Sequence, residues 1–155
     1  MNRLLFIIIV IFVPFSSISA EEGTFIYGLD PALHVDRDSG LNEQVGIIGI
    51  SYKKWTVMNF TNSYNNTSWL VSKEVKRWDW HEGERFIIYP SLHLGIVHGY
   101  EGDVNTIGGF IPWAFISSDF RYKVTDSLSI GLNASLVPAL RNSVFVKNFT
   151  ISMDF

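Results

Sequence analysis

The sequence has no cysteine. That excludes a disulfide framework, a thiolate metal site and a thiol nucleophile. Charge is scarce and slightly acidic: Lys+Arg 12 against Asp+Glu 15 gives −3, and 17% of residues are charged. Such a chain offers no basic face to a phosphate backbone, so no nucleic-acid partner is expected. Long apolar runs are lacking as well. Beyond residue 20, no window approaches the roughly 20 consecutive apolar residues of a spanning helix. Helical periodicity is also missing. Yet 47% of the 155 residues are hydrophobic and 15% are aromatic. At one domain's length, that excess must sit in one segment or be spread through a chain whose solvent is lipid.

One segment holds part of it. Met1–Ala20 begins with a single basic residue, Arg3, and continues as an apolar stretch from Leu4 to Phe15. It ends in the small polar run Ser16-Ser17-Ile18-Ser19-Ala20. This is the layout of a secretory signal peptide. Cleavage after Ala20 is expected, leaving residues 21–155 as one exported domain.

The rest of the apolar content recurs at every second position, the period of a strand. Leu128, Ile130, Leu132, Ala134 and Leu136 alternate with Ser127, Ser129, Gly131, Asn133 and Ser135. Phe145, Phe149, Ile151, Met153 and Phe155 share one face of the last segment, which only Lys147 interrupts. Turn residues divide the chain into eight predicted strands, at 24–35, 45–54, 56–64, 68–78, 86–99, 109–124, 127–138 and 144–155. An even number of long strands, each with one apolar and one small-polar face, predicts an all-β, eight-stranded antiparallel transmembrane β-barrel. Lipid cannot hydrogen-bond a backbone, so a sheet crosses it only when closed. A soluble secreted sandwich is the rival reading.

Strand parity then has a functional consequence. With both termini in the periplasm, the joins after odd strands face outward. The ends of odd strands gather His34, Asn62, Ser63, Tyr64, His98 and Tyr100 at one outer rim. Imidazole, hydroxyl and amide together are ingredients of acyl transfer, with a base beside a nucleophile. Such residues are also ordinary at a barrel rim. If Phe120, Tyr122 and Val124 face lipid, Trp113 and Phe115 point inward above Asp119, Arg121 and Lys123. An eight-stranded barrel holds packed side chains or one slender ligand. An apolar well suited to a hydrocarbon chain is therefore expected at the outer half.

Several segments carry a resemblance. Leu33-His34-Val35, Asn42-Glu43 and Gly46–Ser51 come first, followed by Met58-Asn59-Phe60-Thr61-Asn62-Ser63-Tyr64. Leu92-His93-Leu94-Gly95, Ile111-Pro112, Val137-Pro138 and the terminal Phe149–Phe155 strand follow in order. Together they resemble the PagP-type lipid A palmitoyltransferases of the Gram-negative outer membrane, a family also carried by bacteriophages. The resemblance implies transfer of a fatty acyl chain from phospholipid to lipid A without a cofactor. It implies His34, Ser63 and Asn62 as the catalytic group. Trp113, Phe115, Tyr100 and His98 would contact substrate, and Pro112 and Pro138 would border a lateral opening for lipid. Outer-membrane lipids are then the partners, and a monomer is expected.

Three departures from the family stand out. Asn62 replaces an aspartate, the outer loop Tyr100–Gly108 has no matching arginine, and only Glu21-Glu22-Gly23 precede the first strand. A non-enzymatic barrel whose surface loops bind or mask a partner, as in superinfection exclusion, is the alternative. Four histidines without cysteine give no metal motif, and no metal site is expected. The Trp78-Asp79-Trp80-His81 run reads as an aromatic anchor at the inner interface.

Overall fold

The computed structural model describes residues 22–34, 41–100, 105–138 and 143–155. The signal-peptide segment, residues 1–20, lies outside the described residues. Among the described residues, nine strands form: β1 (Glu22–His34), β2 (Ile48–Tyr52), β3 (Trp55–Thr61), β4 (Thr67–Arg77), β5 (His81–Glu82), β6 (Phe86–His98), β7 (Phe110–Lys123), β8 (Leu128–Val137) and β9 (Val144–Asp154). Each sheet neighbour is antiparallel. β4 pairs with β6, and β1 pairs with β9, so the sheet closes on itself. Eight strands form the barrel, while the two-residue β5 lies along Ile87 and Ile88 of β6.

The polarity is inverted relative to a soluble protein. Among the described residues, sixteen of the buried ones are polar or charged, against eight that are apolar. Large apolar side chains instead line the outside, including Phe25, Tyr27, Ile50, Val57, Val71, Ile96, Phe120, Leu132 and Ile151. Lipid is the solvent that stabilises this arrangement, and closure leaves no sheet edge in it. The soluble sandwich is thereby excluded, and the chain is a transmembrane β-barrel of the outer-membrane type.

Glu22 pairs with Asp154, so both ends of the described barrel lie at one end, here called inner. The Lys53-Lys54 turn is at that end too, because Gly23 lies across from Tyr52. His34, Asn62, Ser63 and Gly99 are at the opposite, outer end. Inside, the two halves differ. The outer half is apolar, built on Leu70, Val97, Tyr100 and Phe115 and on Ala32, Val45 and Ile47. The inner half is polar and carries Glu22, Glu74, Arg77, Asp119 and Arg121 around a cavity of about 680 Å³.

Candidate functional site at the outer rim

His34 ends β1, and Ser63 lies two residues past β3. Two elements 29 residues apart in sequence bring them together: His34 Nε2 is 2.9 Å from Ser63 Oγ. The imidazole is buried, and its Nδ1 has no hydrogen-bond partner among the described residues. A neutral ring protonated on Nδ1 accepts the Ser63 hydroxyl proton at Nε2. This is the contact a general base needs with a nucleophile.

Asn62 plays a different part from the one expected of it. It is almost fully buried, 1% exposed, and its amide is committed to the turn rather than to His34. Nδ2 donates to Gly99 O at 2.7 Å and to Ser68 Oγ at 3.0 Å. Oδ1 accepts from Tyr64 N at 2.9 Å and Asn66 N at 3.0 Å. The side chain thus closes an Asx-type turn around the serine. Asn65 takes the left-handed backbone the turn requires, at φ 66°.

Two residues outside the predicted set complete the cradle. The Asn42 backbone N–H donates to Ser63 O at 2.8 Å, and Asn42 Nδ2 donates to Asn62 O at 3.3 Å. Gly99 sits at φ 106°, and a Cβ there would lie 2.3 Å from Thr67 O. Only glycine lets the Gly99 carbonyl reach Asn62.

Below the pair lies an apolar well of about 80 Å³, lined by Val45, Phe60, Leu70, Trp113, Val144 and Val146. Ser63 and Tyr100 also reach it, and Phe115 forms part of its floor. Trp113 and Phe115 therefore point inward as expected. Tyr100 is buried in the same cluster, with its ring 6.2 Å from Tyr64 and 5.9 Å from Trp113. The well is small beside the roughly 300–1,000 Å³ of drug-sized ligand sites, so it admits a short apolar segment.

His98 is not brought to the pair. Its side chain is on the lipid-facing row, 5.2 Å from the Phe110 ring and in register with Trp69. Pro112 is also on that row, across from Ile96, and Pro138 follows the last residue of β8. Among the described residues, β7 pairs with β8 from Lys123 opposite Ser129 to Ile116 opposite Leu136.

A second imidazole–hydroxyl group escaped the sequence reading. In the inner half, His93 Nε2 lies 2.9 Å from Ser91 Oγ and 3.2 Å from Ser117 Oγ, with the ring stacked on Phe115 at 4.6 Å. The two serines are 2.9 Å from one another. Ser91 and Ser117 face each other in the β6–β7 register, a relation that only the paired strands reveal. Among the described residues, no cluster of His, Asp and Glu is arranged to hold a metal ion.

No family model and no curated protein matches the chain. Among solved structures, it is similar to the crystal structure of Neisserial surface protein A (NspA). The two share 11% identity over 87% of this chain and 94% of that chain, with a TM-score of 0.45.

Proposed function

We propose that this barrel resides in the outer membrane of a Gram-negative bacterium and moves a fatty acyl chain from a phospholipid to lipid A. The observation that carries the reading is the 2.9 Å contact between His34 Nε2 and Ser63 Oγ above an apolar well. His34 takes the Ser63 proton while Oγ attacks the ester carbonyl of the donor. Collapse breaks the ester bond, and the departing alkoxide takes the proton back from His34. A lipid A hydroxyl then repeats the sequence on the acyl-serine and frees Ser63. Pro112 and Pro138 have no N–H to give a ladder, and beside them the chain has a sideways route from lipid.

The test is expression in Gram-negative cells, with lipid A examined by mass spectrometry. Wild type should add one acyl chain. His34→Ala and Ser63→Ala should each reduce that product about 100-fold or more while the barrel still assembles, as general-base contributions of this kind imply. No added mass from wild type, where an authentic palmitoyltransferase adds one, overturns the reading.

The small well, and a His34 Nδ1 without a partner among the described residues, favour a second reading. In it, the barrel is a non-enzymatic scaffold whose outer loops bind or mask a surface partner. His34→Ala and Ser63→Ala would then leave function intact, and loop deletions would abolish it.

A further inference from the structure

The inner rim is chemically lopsided. On one side, the turn between β2 and β3 is Lys53-Lys54, both residues in the left-handed region at φ 49° and 70°. Tyr52 and Trp55 flank the turn and are half exposed. Lys73 stands across from Trp55 on the outward row of β4, with its Nζ 5.3 Å from the centre of the indole. Glu74 N donates to Lys54 O at 2.8 Å, which holds the turn against β4 just where Lys76 follows the bulge. Trp78 and Trp80 continue the belt, Trp80 at 75% exposed. Elsewhere that end carries acids: Glu82, Glu84, Asp126 and Asp154.

Among the described residues, Lys54, Lys73 and Lys76 form no ion pair with a carboxylate. The pairs of the inner half go to Arg77, Arg121 and Lys123 instead. The acids that line the lumen cavity with Lys54 and Lys76 are Glu22, Glu74, Asp79 and Asp119, and all but Asp79 pair with Arg77 or Arg121. An ammonium on a lipid-facing row is costly at mid-membrane but tolerated near the interface, where it reaches a phosphate. Lys73 is at that level, with Trp55 beside it and the apolar Val57 and Val71 toward the outer end. At this corner Lys54, Lys73 and Lys76, none in an ion pair among the described residues, stand above an apolar wall.

We infer that Lys54, Lys73 and Lys76, with Trp55 and Trp78, form a binding site for the headgroup of an anionic phospholipid in the adjoining leaflet. The lysines face its phosphate, and Trp55, Val57 and Val71 pack against its chains. The site lies at the opposite end of the barrel from His34 and Ser63 and includes neither, so it stands whether or not the rim pair is catalytic.

The test is native mass spectrometry of the whole barrel in detergent, offered equal dioleoylphosphatidylglycerol and dioleoylphosphatidylcholine. A lysine at an anionic lipid surface is worth roughly 1 kcal/mol, or about fivefold. Wild type should retain the glycerol lipid at least about fivefold over the choline lipid. Lys54→Gln/Lys73→Gln/Lys76→Gln should lose that preference, and Lys73→Gln alone should weaken it about fivefold. Lys147→Gln, on the outward row of β9 in the outer half, should keep it. Equal retention by wild type overturns the site, as does a preference that survives the triple change or disappears with Lys147→Gln. Folding of each variant is read from its heat-dependent gel migration. Should the triple variant not fold, Lys73→Gln decides alone, since its side chain is exposed and an unchanged preference there overturns the site.

Discussion

Asn62 donates through one end of its amide and accepts through the other, and each end has two partners. A carboxylate can imitate only the accepting half. Asn62→Asp would place an anion 2.7 Å from the Gly99 carbonyl oxygen and remove both donated bonds. It should lower unfolding stability by about 1–3 kcal/mol and reduce any acyl transfer. Urea titration followed by tryptophan fluorescence checks the first effect, and the lipid A product checks the second. A neutral or activating Asn62→Asp would show that the amide is no brace. Strand parity made the meeting of His34 and Ser63 legible in the sequence, because both end odd strands. The service of Asn62 was not legible. An amide and a carboxylate occupy the same place in a motif, and only the turn's carbonyl and N–H groups distinguish them.

The period-2 alternation located all eight barrel strands, because lipid outside and close packing inside leave each strand one apolar and one small-polar face. Boundaries differ most at β2, expected over 45–54 and observed at Ile48–Tyr52. Asp30 accounts for part of this: its Oδ1 accepts from Val45 N at 2.7 Å and Gly46 N at 3.3 Å, taking backbone donors that a ladder would use. Among the described residues, the β7–β8 ladder runs from Lys123 opposite Ser129 to Ile116 opposite Leu136. In detergent micelles, the β7 N–H groups bonded within it should exchange at least about tenfold more slowly than those of the Lys53-Lys54 turn. Equal exchange would mean that this part of the wall opens in solution.

Taken as one molecule, the barrel is held across its lumen as well as around its wall. Glu22 of β1 bonds Arg121 of β7, and Glu74 and Arg77 of β4 form a two-point pair, with Arg77 Nη1 3.7 Å from Glu22. Tyr89 of β6 lies between the guanidinium groups, 4.0 Å from Arg77 and 4.9 Å from Arg121. The two Glu22 contacts join β1 to β7 and to β4, neither of them its neighbour in the sheet, so they oppose flattening of the ring in a way that backbone ladders cannot. Buried charges of this kind stabilise little when compared with a well-packed apolar replacement, but the loss of one partner is costly. Arg121→Met leaves Asp119 without its guanidinium and Glu22 with Arg77 alone, at 3.7 Å, and should lower unfolding stability by roughly 3–5 kcal/mol. Glu22→Met in the same chain removes one of these carboxylates, so the double variant should be more stable than Arg121→Met alone. Urea unfolding of the refolded barrels measures the cycle. A double variant whose loss equals the sum of the two single losses would mean that the pair is not coupled. The inner half would then be stabilised by its wall alone.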